Sequence, residues 1–391
     1  MPKHIQVRIR IAAIIILAAL ALSVFAGCSA INDPVVVKVG DVSMKLSDYT
    51  LYYNNYYMYV YYGLYDVSTK EGREKFQDVV FDALKSDAVK LYMARQEGIT
   101  LTEEELKECE DEAAKTMDNI VDNYKSSVDS NIKGELAILA EARRLAEADM
   151  KSNGYTYDSY YAEVLVNAQD GAKIEKHMQQ IYDTVSVTDD EVKEWYDETL
   201  KTQKEEFDDK PEEYAKTYTT YAQGSGVRPL YIPEGYKRVK HILIKDGDKA
   251  EETLKKVQQA IEAGDKTFDE LIEEYGEDGG MKSEPYKSEG YPISEANKGD
   301  YHEEFSEAAL KLEKVGDISE PVKTKSGTHI IMLSEIVETE TLELNSELEE
   351  EIHEYMLTEA QKEKYEEILK GWLDDAPVTE YRQRIRRIGV A

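Results

Sequence analysis

Two short stretches constrain this chain more than any others. "RVKHILIKDGD", Arg238 to Asp248, sets His241 in a run of Val, Ile and Leu with the character of a buried strand. "SGTHIIML", Ser326 to Leu333, sets His329 in a second such run. A buried imidazole is costly unless both ring nitrogens find partners, so each strand must lie beside polar groups that supply them. Each histidine alone is more often structural than functional.

Around these strands the pattern is compact. "AEETLKKVQQAIEAG" and "TFDELIEEYG" read as helices, followed by an irregular stretch with Gly279, Gly280, Pro285, Gly290 and Pro292. A short helix "HEEFSEAALKL", the turn "KVGD" and the strands "ISEPVKT" and "THIIMLSEIVE" close a unit of ordinary domain size, residues 235–338.

Upstream the chain is mostly helical. "DPVVVKVGDVSMKLSDY" reads as strand, turn, strand and a helix start near Ser47 or Asp48. Tyrosines 49, 52, 53, 56 and 57 then fit one broad helical face, while Tyr59, Tyr61, Tyr62 and Tyr65 spread beyond it. Two readings follow: half-buried rings with hydroxyls at the rim, or an adaptable surface for unfolded chains. The spacing of Phe76, Val80, Leu84, Leu91 and Ala94 predicts a long helix ended by Gly98. "TEEE" from Thr102 and "TDDE" from Thr188 are capping boxes. The Gly- and Pro-bearing zone 208–236 reads as a loose boundary, and Leu344 to about Asp375 as a long acidic helix. The basic tail "RQRIRR" is either a solvated end or a partner for acidic helices.

Composition excludes one class of function. Asp and Glu number 80 against 48 Lys and Arg, a net charge of −32, so the basic footprint that holds DNA or RNA is lacking. No nucleic-acid partner is expected. Close metal-ligand spacing of His or Cys is lacking too, and no cofactor is expected.

The first residues read as an export signal. Lys3, Arg8 and Arg10 precede the uncharged run Ile11 to Phe25, and small residues then lead to Cys28 in "AGCSA". That arrangement resembles the lipobox of bacterial lipoproteins, which implies residues 1–27 as signal peptide and Cys28 as the lipidated first residue. Cys109 is then alone, and no internal disulfide forms.

Four ordered blocks, "VKHILI", "FDELIEEYGED", "FSEAALKLEKVGDISEPVKT" and "TKSGTHII", resemble the parvulin family of peptidyl-prolyl isomerases. The resemblance implies a paired His241 and His329 at the sheet centre, with Asp278 and either Thr324 or Ser326 satisfying their outer nitrogens, and His241, Asp278, Thr324, Ser326 and His329 as the catalytic set. It implies Phe305 as the wall of a proline pocket, with Tyr301 and Met281 as further substrate-binding residues. Two departures stand out. The segment after Asp278 is long and irregular, "GGMKSEPYKSEGYPI", and Tyr301 and His302 stand where many parvulins have Met-Gln.

The layout as a whole resembles PrsA-like and SurA-like foldases. That resemblance implies an α+β protein: a helical N-terminal chaperone region (28–234), an antiparallel or mixed parvulin sheet with helices (235–338), and a C-terminal helix and tail (339–391) returning to the first region. It implies a lipid-anchored protein on the extracytoplasmic face of a Gram-positive-type cell membrane. The expected partners are unfolded or partly folded exported polypeptides and the membrane itself, with a homodimer left open. Two rival readings stand beside the isomerase: a holdase with a weak or inactive parvulin module, and a surface lipoprotein with one dedicated partner.

Overall fold

The computed structural model describes residues 33–152, 154–247 and 250–389. The expected signal segment and Cys28 lie outside the described residues. Among those described, no helix is long and apolar enough to cross a membrane. The described residues divide into two compact units, 33–185 with 360–389, and 186–359.

The first unit opens with a hairpin, β1 (Val35–Val39) and β2 (Val42–Lys45), that runs directly into α1 (Leu46–Tyr61). Long helices follow: α2 (Lys70–Gln96), α3 (Glu103–Asn123), α4 (Glu135–Ser152) and α5 (Tyr157–Tyr182). α2 shows how local sequence sets these limits. The Thr69 hydroxyl accepts from the Gly72 N–H at its start. At its end Gly98 adopts φ +72°, its N–H reaches the Arg95 carbonyl and the Ile99 N–H reaches that of Ala94. This is a Schellman closure, which needs a left-handed residue and so favours glycine. The Thr102 capping box opens α3 as the sequence predicts.

One apolar cluster joins the hairpin to α1 and α2 through Val36, Val39, Tyr49, Phe76, Val80 and Leu84. The tyrosine run splits along α1. Tyr49 and Tyr53 are buried in this cluster and Tyr52 and Tyr56 pack at its edge, whereas Tyr61 and Tyr62 are 86% and 67% exposed. The buried-ring reading therefore holds for the first turns of α1, and the rings at its end and just beyond it are left open.

The second unit begins with α6 (Asp189–Asp209), again opened by its predicted capping box at Thr188, and α7 (Glu212–Ala222). Then come β3 (Tyr231–Ile232), β4 (Lys237–Ile244), α8 (Ala250–Ala263), α9 (Phe268–Tyr275), α10 (Tyr286–Glu289), β5 (Tyr291–Ile293), α11 (Glu303–Leu310), β6 (Val322–Thr324), β7 (Gly327–Ile336) and β8 (Glu340–Thr341). The main sheet is antiparallel in the order β5-β4-β7-β6, so the two histidine strands are its central pair. Side chains alternate across it. Ile242, Ile244 and Ile330 pack with Val257 of α8 and Leu271 of α9. Val239, Ile331 and Leu333 pack with Phe305 and Ala309 of α11. The strand expected at "ISEPVKT" shortens to Val322–Thr324, because Pro321 has no N–H to give the ladder.

The zone 208–236 is not loose throughout. Tyr214 and Tyr218 of α7 are buried at helical spacing, in a cluster with Phe207, Tyr231 and Tyr236. Packing thus places residues 186–234 with the sheet unit, and the division falls at Ser186 rather than at residue 235.

The long acidic helix is α12 (Ser346–Asp375), which buries Leu348 and Ile352 against Val192 and Leu230 in the second unit. β9 (Val378–Glu380) then pairs antiparallel with β1, Val39 opposite Val378, in the first unit. The basic tail is not a solvated end. Arg382 pairs with Asp78, Asp82 and Glu380, Arg386 pairs with Asp78, and Ile385 is fully buried.

Candidate active site

β4 and β7 pair with Leu243 opposite His329 and His241 opposite Ile331. The two histidines are therefore two residues apart diagonally on one face of the sheet, within reach of each other. Their rings stack with centroids 5.1 Å apart and 28° between planes. The two Nδ1 atoms lie 3.1 Å apart.

The outer nitrogens are satisfied from both sides. His241 Nε2 is 2.8 Å from Asp278 Oδ2, and His329 Nε2 is 2.8 Å from Thr324 Oγ1. An ionised carboxylate only accepts, so His241 Nε2 carries the proton of the first bond. With both rings neutral, the remaining roles follow. His329 Nδ1–H donates to His241 Nδ1, and the Thr324 hydroxyl donates to His329 Nε2. The chain of donors then runs in one direction, from Thr324 to Asp278, and each ring makes two hydrogen bonds.

Electrostatics support this arrangement. Burial and the neighbouring His241 and His302 push His329 down to about 4, which keeps it neutral at ordinary pH. Burial pushes the Asp278 carboxyl up. The hydrogen bonds from His241, the Gly280 N–H and the Tyr291 hydroxyl outweigh that and bring it to about 2. Asp278 is the fixed negative end of the network.

Phe305 lies under the pair. Its ring meets His241 and His329 edge-on, with centroids at 5.2 and 5.3 Å. It is only 3% exposed. Half-buried Tyr301 packs over it at 5.6 Å, and the Tyr301 hydroxyl donates to the Pro292 carbonyl at 2.9 Å. Of the two rings, Tyr301 is the more exposed.

Two residues of the expected set stand apart. Ser326 does not touch either ring of the pair: its hydroxyl meets His302 Nε2 at 2.8 Å, while its N–H donates to Thr324 Oγ1. It acts one step out, by fixing the Thr324 hydroxyl. Met281 is not brought to Phe305. It is 1% exposed in the layer of α8 and α9 with Ile272, beside a separate cleft of about 650 Å³. The reason is the short 3-10 turn at Gly280–Lys282, which folds the Met281 side chain into that layer.

Sequence reasoning missed Tyr291. Its hydroxyl donates to Asp278 Oδ2 at 3.1 Å and its ring lies 5.6 Å from that of His241. The irregular segment hid it, because nothing in "EGYPI" shows that β5 is an edge strand beside β4.

The family model described as a PPIC-type PPIase domain, or rotamase, matches residues 241–335. Residues 241–335 are a PPIC-type rotamase domain. Foldase protein PrsA 1 of Bacillus cereus is 39% identical over 110 residues, covering 27% of this chain and 35% of that protein. Foldase protein PrsA 3 of Bacillus anthracis is 32% identical over 153 residues, covering 39% and 50%. The chain thus spans a third to a half of the length of these curated relatives. Foldase protein PrsA of Clostridium perfringens is 24% identical over 307 residues, covering 78% of this chain and 73% of that protein. Among solved structures, PrsA from Bacillus subtilis aligns over 92% of this chain and all of that one, with 19% identity and a TM-score of 0.28.

Proposed function

We propose that this protein is an extracytoplasmic foldase, tethered to the membrane through lipidated Cys28, that binds unfolded or partly folded exported polypeptides and isomerises their Xaa–Pro bonds. One observation carries the reading. It is the imidazole pair of His241 and His329, held between Asp278 and Thr324 over the Tyr301–Phe305 surface. The rotamase match and the similarity to PrsA foldases support it.

The reaction needs neither a cofactor nor a covalent intermediate. Amide resonance keeps the peptide bond planar, with a rotation barrier of about 18–20 kcal/mol. An X–Pro bond isomerises over tens to hundreds of seconds unaided. A site accelerates rotation by binding the twisted bond better than the planar one. Tyr301 and Phe305 offer the proline ring an apolar seat. The hydrogen-bonded imidazoles next to it exclude water from the carbonyl, and poorly solvated amides lose part of the charge separation that keeps them flat. No side chain acts as a nucleophile.

The division of labour follows the two units. Residues 186–359 isomerise, and the helical unit holds the client. A second reading, a holdase with a weak isomerase, draws on the apolar side chains left open at the end of α1: Tyr61, Tyr62 and Leu64 are 86%, 67% and 66% exposed.

Refolding of an unrelated protein limited by a non-native prolyl bond separates the readings. Faster refolding that is lost in His329→Ala supports the foldase. Suppressed aggregation with unchanged slow kinetics would leave the holdase standing instead.

A further inference from the structure

The rotamase match begins at His241, yet the site is braced by residues on both sides of that limit. Gly280 lies directly beneath the Tyr291 hydroxyl. A Cβ there would sit 2.2 Å from that oxygen and 3.4 Å from Asp278 Oδ1. The Gly280 N–H donates to Asp278 Oδ1 at 3.0 Å. Asp278 therefore receives three donors: His241 and Tyr291 on Oδ2, and Gly280 on Oδ1. A side chain at 280 would displace the Tyr291 hydroxyl, and the backbone angles there do not call for glycine.

The Tyr291 ring is itself held in place. Tyr286 packs on it with centroids 4.4 Å apart, and Tyr218 of α7 packs on Tyr286 at 5.8 Å. Tyr218 is fixed by Arg238 of β4. The guanidinium lies 4.5 Å over the Tyr218 ring, donates to the Tyr214 hydroxyl at 3.0 Å and pairs with Glu289 at 3.1 Å. The Tyr218 hydroxyl closes the ring of contacts by donating to the same Glu289 carboxylate at 2.7 Å. Arg238, Tyr214 and Tyr218 are buried, while the Glu289 carboxylate reaches the surface.

We infer that Tyr291 is a positioning residue of the isomerase site: its hydroxyl aims the Asp278 carboxylate at His241, and α7 holds its ring in register through Tyr286, Tyr218 and Arg238. The inference rests on the isomerase reading given above. It makes α7, which lies upstream of the rotamase match, part of the catalytic unit. The imidazole chain depends on it, because a carboxylate free to rotate would offer His241 Nε2 a poorer acceptor, and the donor order from Thr324 onward would loosen.

The test is Tyr291→Phe in the full chain, which removes the hydroxyl and keeps the ring. Two readouts are taken: the carboxyl 13C shift of Asp278 between about pH 5 and 2.5, and kcat and KM on an Xaa–Pro peptide. The expected result is protonation of Asp278 at higher pH than in the wild type, and a fall in kcat of about tenfold with KM changed less than twofold. Gly280→Ala, which displaces the hydroxyl sterically, should reproduce both effects. An unchanged Asp278 titration in Tyr291→Phe overturns the inference whether or not the protein isomerises. A shifted titration with unchanged kcat overturns the positioning role. A shifted titration in Tyr291→Phe, with a wild type that shows no isomerase activity, upholds the hydrogen bond and sinks the isomerase reading.

Discussion

The Nδ1 atoms of His241 and His329 face each other at 3.1 Å, so the hydrogen bond between them has room for one proton. Neutral rings satisfy this contact with one donor and one acceptor. Two fully protonated rings would set two N–H groups, and two charges, against each other. The site is therefore built to keep His329 neutral.

Stability should depend on pH accordingly. His329 is held at about 4 by burial first and then by its histidine neighbours, against an ordinary value of 6.5. Between these values the unfolded chain binds the proton and the folded one does not, so stability is full above about 6.5 and falls as pH drops towards 4. The loss from this group is about 3 kcal/mol, reached once the pH is below 4. Asp278, depressed to about 2, adds a further loss only below its ordinary value of 3.8. Urea unfolding of the wild type at pH 7 and pH 4.5 measures the difference, and His329→Asn should flatten it.

Asp278→Asn keeps the shape of the side chain and removes its charge. An amide is a weaker acceptor for His241 Nε2, so the chain of donors loses its fixed end. Isomerase efficiency is expected to fall by about tenfold or more, with a stability loss of about 1–3 kcal/mol. Steady-state assays paired with thermal melting separate the two effects.

How far the sequence alone reached is clear from particular residues. His241 and His329 announced themselves, because a polar ring in an apolar strand demands a partner, and the parvulin resemblance put Asp278 and Thr324 beside them. The capping boxes at Thr102 and Thr188 were legible because their chemistry is local. Tyr291 and the inward turn of Met281 were not. Both depend on how an irregular segment closes over β4, which three-dimensional packing decides. α7 was hidden by the Gly and Pro around it, although Tyr214 and Tyr218 stand four residues apart and mark its buried face.

Phe305 is the floor of the site and part of the α11 core, so size and chemistry trade off there. Phe305→Ala should cost about 3–5 kcal/mol, enough to compromise folding. Phe305→Leu preserves more of the volume and should leave a folded protein with a raised KM for proline peptides. Circular dichroism melts and peptide kinetics on both variants check this.

The basic tail should matter for the helical unit. Arg382 reaches Asp78 and Asp82 on α2 while its guanidinium lies 4.2 Å over the Phe81 ring. It is partly exposed, so each ion pair is worth about 1 kcal/mol or less and weakens with salt. Arg382→Ala is expected to destabilise by about 1–2 kcal/mol through lost pairing and lost packing together. A double-mutant cycle of Arg382→Ala with Asp82→Ala, in low and high salt, isolates the charge component.

The most direct measurement is the exchange rate between cis and trans forms of an Xaa–Pro peptide, followed by NMR exchange spectroscopy with the full chain present in catalytic amount. The paired-imidazole account predicts accelerated exchange with the wild type and little or none with His329→Ala or Asp278→Asn at matched folded fraction. Exchange at the uncatalysed rate with wild-type protein, or full acceleration by both variants, would contradict it.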